Sequence, residues 1–146
     1  MSFNSKIKNS LYPSIYPKYL PDLGLHGVTL IRRQGIARYA VHIDAFNPDL
    51  SIATQIQAAR KIIRKRTNAF WLFKEVGASI VLSSKFLPDL DTRSLAIDRT
   101  GFHAVIVQGV HIISESGEQQ YNQSEWLNQT FGKSMDIAQV IGNVAI

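Results

Sequence analysis

The feature that most constrains the fold is a long amphipathic stretch in the middle of the chain, from Asn47 to Gly77. At about 100° per residue, its apolar side chains recur along one line, which predicts a helix that buries one side against a sheet. This apolar stripe consists of Ile52, Ile56, Ala59, Ile63 and Phe70. Asn47 as the amino-terminal cap, Pro48 at the first helical position and Gly77 as a stop signal predict a helix over about 48–76.

Strands are predicted on both sides of this helix. Two β-rich runs, 28–33 and 36–45, are joined by Gln34-Gly35, which is typical of a tight hairpin turn. Further strands are predicted at 78–82, at 102–114 with a bulge or a strand break at Gly109, and from 119 to about 126. A last apolar stripe, capped by Ser134, predicts a short C-terminal helix over about 134–144. Residues 28–146 are therefore expected to form a single α+β domain with a mostly antiparallel sheet packed on the long helix.

Residues 1–27 have a different composition from the rest of the chain. Pro13, Pro17 and Pro21 recur at a spacing of four and exclude a helix or a central strand through them. The segment is also rich in Tyr, Leu and Ile, and disordered tails are poor in such residues. We therefore expect an extended arm that packs on its own domain or on a partner, including a second copy of the chain in a homo-oligomer.

Charge and composition limit the classes of partner and chemistry. Sixteen Lys and Arg against eleven Asp and Glu give a formal charge of +5, which favours nucleic acid, an anionic membrane or an acidic protein. The chain contains no cysteine, which excludes thiolate metal sites and a cysteine nucleophile. No apolar run reaches the roughly 18 residues that a membrane span needs, and no signal peptide is recognisable, so we predict a cytoplasmic protein.

The strongest functional signal is the basic side of the predicted helix, opposite the apolar stripe. Its cations are Arg60, Lys61, Arg64 and Lys65. On the same helical projection Trp71 falls in the basic sector, which suits single-stranded nucleic acid with phosphates on the cations and a base on the ring. Cations alone would suit a phosphate backbone. The alternative is a solvated face with Trp71 in the core, because residues 70–73 are all apolar. Arg66 projects into the apolar stripe, which allows a kink that would move Trp71 out of the basic sector.

Catalytic signals are weaker. The four histidines include no i, i+4 pair, and no glycine-rich phosphate loop or nucleophile motif is present, so we predict neither a metal nor a cofactor. His103, His111 and Glu118 lie around Gly109, and a fold that brought them together would supply a general acid and base for a small hydrolase or nuclease. We favour a non-catalytic binding or assembly protein. It would engage an anionic partner, a nucleic acid or an acidic protein, through the basic helix face and the aromatic N-terminal arm.

Overall fold

The structure is a computed structural model that describes residues 2–72, 74–98, 103–124 and 137–142. This part of the chain forms a single open sheet of six strands with three helices. In chain order the elements are α1 (Phe3–Leu11), β1 (Lys18–Tyr19), β2 (Val28–Gln34), β3 (Ala37–Ala45), α2 (Ile52–Thr67), β4 (Val76–Ser84), a 3₁₀ turn (Thr92–Ser94), β5 (Val105–Ser114), β6 (Gln119–Gln123) and α3 (Ile137–Gly142). The predicted α+β class is confirmed.

The six strands lie side by side in chain order. Both outer regions are antiparallel, β1 with β2 and β2 with β3 on one side and β5 with β6 on the other. The centre is parallel, because β3 pairs with β4 and β4 with β5 in the same direction. The sheet is therefore mixed, and the prediction of a mostly antiparallel sheet fits only its outer strands. Parallel neighbours need crossover connections, which are supplied here by α2 and by residues 85–104.

Apolar side chains cover both faces of the sheet. On one face, α2 and the 85–104 connection pack against β4 and β5 in a cluster that includes Ile56, Ile63, Leu95, Ile80 and Ile112. On the opposite face, α1 and α3 pack against the same sheet in a cluster that includes Ile7, Leu11, Val41, Ile137 and Ile141. Because each helix buries one side on the sheet, the opposite side of α2 is left to solvent.

The predicted hairpin is confirmed, and the interruption predicted at Gly109 is a bulge at the neighbouring Gln108. β2 and β3 pair through the turn at Gly35, whose φ of +60° is a conformation that glycine adopts without a steric cost. Between β4 and β5, Ala78 pairs with Val107 while Ser79 pairs with Gly109. Gln108 is thus the extra residue of a bulge, and the side-chain alternation of β5 shifts by one position beyond it.

α2 is shorter than the predicted helix of about 48–76 at both of its ends. Ser51, and not Asn47, is the amino-terminal cap, because its side chain accepts the backbone N–H of Thr54. The helix stops at Thr67, since Asn68 adopts the left-handed conformation with φ +53°. Ile52, Ile56, Ala59 and Ile63 are buried as predicted. Phe70 lies beyond the helix end and is 55 % exposed, so its assignment to the stripe was wrong.

The first 27 residues contain a helix where extended backbone was expected. α1 is capped by Ser2 and ends before the first proline. The missed signal is an apolar spacing of four residues, Phe3, Ile7 and Leu11, which places these side chains on one face. Ile7 and Leu11 are fully buried against the chain's own sheet.

At the C-terminal end of the chain, α3 spans Ile137–Gly142, inside the range predicted for the last helix. Ser134 and the predicted end of the last strand near Trp126 lie outside the described residues.

Candidate functional site

Three of the four predicted cations lie together on the last two turns of α2. Lys61, Arg64 and Lys65 are exposed and line, with Asn68 and Ala69, a shallow open depression of about 410 Å³. We call Lys61, Arg64 and Lys65 the basic face. Residues 52–67 contain no Asp or Glu, so no acidic side chain of α2 offsets the positive charge of the basic face.

The fourth cation, Arg60, is engaged inside the protein. Its guanidinium forms a two-point pair with Asp98, with Nη1–Oδ2 at 2.8 Å and Nη2–Oδ1 at 3.0 Å, and Nη1 also donates to the Val105 carbonyl at 2.8 Å. Burial of Asp98 raises its pKa, but the Arg60 hydrogen bonds, the Val107 N–H and the nearby His103 together lower it below its usual range. Arg60 therefore ties α2 to the 85–104 connection, and its charge is largely compensated.

Trp71 lies in a turn that follows α2, because the helix has already ended at Thr67. The ring is 44 % exposed, and its neighbours Phe70 and Leu72 are 55 % and 64 % exposed. We call residues 70–72 the apolar turn. Phe70 and Lys74 close it with two backbone hydrogen bonds of 2.9 and 2.8 Å. The open choice between a core and an exposed Trp71 is thus resolved as exposed, outside the helical sector that the projection gave it.

Arg38 of β3 fixes the position of this turn. Its guanidinium donates to the carbonyl of Thr67 at 2.9 Å and to the carbonyl of Lys74 at 2.7 Å. The first carbonyl belongs to the last residue of α2, and the second belongs to the residue that closes the apolar turn. One side chain therefore bonds both the helix end and the turn, which fixes the apolar turn relative to the C-terminal end of α2.

The residues proposed for acid–base catalysis are not brought together. His103 precedes β5 and is partly exposed, with Nε2 3.7 Å from Asp98 Oδ1. His111 is fully buried within β5, where its ring stacks on Tyr121 with centroids 5.7 Å apart. At about 3.3 Å per strand residue, the part of β5 from Val105 to His111 alone spans roughly 20 Å. Glu118 lies in the turn before β6.

Two further observations concern metal binding and membrane insertion. Within residues 2–72, 74–98, 103–124 and 137–142, no group of three or more His, Asp or Glu side chains is placed to hold a metal ion. In the same part of the chain, no helix has both the length and the apolar character that crossing a membrane requires.

A buried polar cluster was missed by the sequence analysis. Arg66 donates from Nη1 to Thr29 Oγ1 at 2.9 Å, and the same hydroxyl lies 2.9 Å from Nδ1 of the fully buried His42. Arg66 also donates to the carbonyls of Asp22 and Leu25. The available signal was the projection of Arg66 into the apolar stripe. We interpreted it as a possible kink, but a buried charge with hydrogen-bond partners explains it equally well.

The basic face thus lies on the last two turns of α2, and the apolar turn follows the C-terminal end of that helix. Comparisons with protein-family models, with curated proteins and with solved structures gave no match for this chain.

Proposed function

We propose that the protein is a non-catalytic binding protein that engages single-stranded nucleic acid through the basic face and the apolar turn. The observation that carries this proposal is the exposure of Trp71 in the turn that directly follows the helix bearing the three exposed cations of the basic face. Single-stranded nucleic acid offers both partners that such a surface accepts, phosphates for the cations and bases for the ring.

The spacing of the cations supports contact with a phosphate backbone. Lys61, Arg64 and Lys65 stand at i, i+3 and i+4, and side chains at these spacings are neighbours with Cβ atoms about 5–6 Å apart. Flexible side chains that start so close together can bind adjacent phosphates of one strand. Cations in the last turn also stabilise a helix through its dipole, but the dipole gives no reason for an exposed tryptophan.

The conformation of the apolar turn supports a role in binding. Leu72 has a φ of +78°, which costs a branched side chain roughly 1–2 kcal/mol. The turn therefore combines backbone strain with the exposure of three consecutive apolar side chains, and folding favours neither. Strain and exposed apolar surface at one place are typical of binding sites. A base stacked on Trp71 would cover part of this surface.

The N-terminal segment has a smaller part in this proposal than the sequence suggested. Tyr16 is buried and Tyr12 is half-buried, whereas Tyr19, whose ring lies 4.3 Å from that of Tyr12, is 40 % exposed. Leu23 remains 60 % exposed. A homo-oligomer formed through residues 1–27 stays a separate prediction that sedimentation of the wild-type chain would test. A cytoplasmic location is consistent with nucleic-acid binding and likewise stays a prediction.

The electrostatic part of the proposal predicts a specific salt dependence. Arg64→Glu should weaken binding to labelled oligo(dT) and oligo(U) alike, because interactions with the phosphate backbone read no sequence. The slope of log Kd against log salt should also flatten, by about 0.7 for each phosphate of a single strand that the variant no longer neutralises. Fluorescence anisotropy at several salt concentrations measures both effects.

Lys85→Glu is the matched control. Lys85 is exposed, and it follows the carboxyl end of β4, whereas α2 ends near the start of that strand. Lys85→Glu changes the net charge by the same amount as Arg64→Glu but should leave the slope of log Kd against log salt unchanged. If wild-type protein fails to bind any single strand at low salt, nucleic acid is not the partner, and the basic face would then be tested against acidic proteins. Equal losses for the two variants would mean that only net charge matters.

A further inference from the structure

A second concave site lies at the opposite end of α2 from the basic face. It is a cavity of about 450 Å³ beside the carboxyl ends of β3 and β4, where α2 begins. This volume is within the range of small-molecule sites, and open sheets with parallel strands commonly bind ligands at the carboxyl ends of those strands. The cavity shares no lining residue with the basic face, so an inference drawn from it does not depend on the proposed function.

The walls of this cavity are mainly apolar, with a few polar groups at one side. Phe46, Leu50, Ala58, Ile62 and Leu82 supply apolar surface, and His26, Asp44 and Asn47 supply polar atoms. Asp44 is the single negatively charged side chain among the described residues that line it. An apolar cavity with one anionic side chain favours an apolar ligand that carries one cationic group.

The shape of the cavity is fixed by hydrogen bonds within the protein. The buried Gln55 side chain accepts the Asn47 N–H at 2.8 Å and donates to the carbonyls of Asn47 and Leu50 at 2.8 and 3.1 Å. These three bonds hold the β3–α2 turn against the helix. The cavity is thus built into the fold, and a ligand would not have to order its walls.

The Asp44 carboxylate has an oxygen available for a ligand. Oδ1 accepts the N–H of Ala45 at 2.8 Å. Oδ2 is 3.7 Å from Nε2 of His42, too far for a well-formed hydrogen bond. Burial raises the pKa of Asp44, but His42, the Ala45 N–H and His26 together lower it, so the carboxylate is ionised at neutral pH. About a third of the side chain, 32 %, is solvent-accessible.

The buried polar cluster lies behind Asp44. His42 is held through Nδ1 by Thr29, which in turn accepts from Arg66. Gly27 lies so close to His42 that a Cβ there would come within 2.7 Å of its ring. The imidazole is thus packed against Gly27 and held at Nδ1, and its Nε2, which has no hydrogen-bond partner in the described part of the chain, lies 3.7 Å from Asp44 Oδ2.

We propose that this cavity binds a small organic molecule with an apolar body and a protonated amine, in which the amine donates to Asp44 Oδ2. The apolar part would lie against Phe46, Leu50 and Ile62. The negative charge of Asp44 would repel an anionic ligand. A fully apolar ligand would leave this partly buried carboxylate without a cationic partner.

Three probes of nearly equal shape test the proposal: 2-phenylethylamine, 2-phenylethanol and phenylacetate. Each is titrated into the ¹⁵N-labelled full-length protein, and the amide shifts of Ala45, Phe46 and Asn47 are followed. The amine should give saturable shifts at these amides. The alcohol should bind about tenfold or more weakly, since a hydrogen bond between charged groups contributes at least that factor. Phenylacetate should give no saturable shift.

Two variants, each with a matched control, locate the interaction. Asp44→Asn should remove the preference for the amine, whereas Asp49→Asn, in the same turn but outside the cavity, should retain it. Ala58→Phe should fill the cavity and weaken binding about tenfold or more. Ala53→Phe, at another exposed position on α2, should not. Ala58→Phe leaves the buried polar cluster intact. If Asp44→Asn fails to fold, Ala58→Phe still tests whether the amine binds in this cavity.

Three results would overturn the proposal. One is saturable binding of the alcohol or of phenylacetate as tight as that of the amine. Another is amine-induced shifts that map away from 44–47. The third is the absence of any saturable shift with the amine at millimolar concentration.

Discussion

At the scale of single residues, Arg66 shows how a charge can be used inside an apolar layer. Its side chain is 1 % exposed, and its donors bond Thr29 and the carbonyls of Asp22 and Leu25. A buried guanidinium is tolerated only where its donors are satisfied. Arg66 thereby ties α2 to the segment before β2, which also bounds the cavity containing Asp44.

Replacing Arg66 should be costly. Arg66→Met keeps much of the side-chain volume but leaves the Thr29 hydroxyl and the carbonyls without a donor, which should lower the free energy of unfolding by about 2–4 kcal/mol. Arg64→Met, two residues away but exposed, should change it by less than about 0.5 kcal/mol. Urea denaturation measures both. Similar values for the two variants would show that the buried hydrogen bonds of Arg66 do not stabilise the fold.

Asp98 links stability to pH. Its pKa is lower in the folded protein than in the unfolded chain, where it is near 4. The unfolded chain therefore takes up the proton first as the pH falls. The stability that Asp98 contributes is complete above its unfolded pKa and is lost as the pH falls through its folded pKa.

The corresponding test compares Asp98→Asn with Asp89→Asn, an exposed position in the same connection. At about pH 7, Asp98→Asn should be less stable than wild type, because Arg60 loses its carboxylate partner. At about pH 3 the difference should shrink, because the pH is then below the pKa of Asp98 in the unfolded chain, and proton uptake there stabilises the unfolded wild type. Asp89→Asn should resemble wild type at both values. A difference for Asp98→Asn that does not change with pH would contradict this account of the Arg60 pair.

At the scale of elements, the centre of α2 was predictable and its ends were not. The i, i+4 spacing of Ile52 and Ile56 persists wherever the helix starts. The ends depend on competition between nearby caps, and here Ser51 replaced Asn47 as the cap and Asn68 ended the helix. The helical projection placed Trp71 in the basic sector only if the helix continued past Thr67. The helix ends there, so that position was wrong. The exposure of the ring agrees with one of the two alternatives considered.

Substitutions along the predicted stripe should distinguish the buried centre of α2 from the residues beyond its C-terminal end. Ile56→Ala should lower the free energy of unfolding by about 2–5 kcal/mol, the range for truncation of a buried aliphatic side chain. Phe70→Ala should lower it by less than about 1 kcal/mol, because the ring is more than half exposed. Chemical denaturation of the two variants makes the comparison. A loss at Phe70 as large as that at Ile56 would place the ring in the core.

At the scale of the whole molecule, the order of the strands was harder to predict than their existence. The predicted strand 78–82 is apolar on both faces, which indicates a central strand but not its direction. Whether β4 and β5 run parallel depends on whether the 85–104 connection crosses over the sheet. The sequence of this connection shows no long helical pattern that would predict such a crossover. The same limitation hid the Arg60–Asp98 pair, whose members are 38 positions apart in sequence and meet only because that connection packs on α2.

The arrangement of the molecule places its two proposed sites at opposite ends of α2. The basic face and the apolar turn lie where α2 ends, and the cavity containing Asp44 lies where it begins. The cations of the first site were predictable from their spacing in the sequence. The second site was not, because it is built from the segment before β2, the β3–α2 turn and α2.

The central claim, that bases stack on the apolar turn, is tested most directly by the affinity of Trp71→Ala for oligo(dT) at fixed low salt. Stacking of one base contributes about 1–3 kcal/mol, so affinity should fall by roughly fivefold to more than a hundredfold. The free energy of unfolding should change little. Phe86→Ala removes an aromatic side chain that is 75 % exposed near the carboxyl end of β4, and it should bind like wild type. Unchanged affinity of Trp71→Ala, or an equal loss in both variants, would contradict the account.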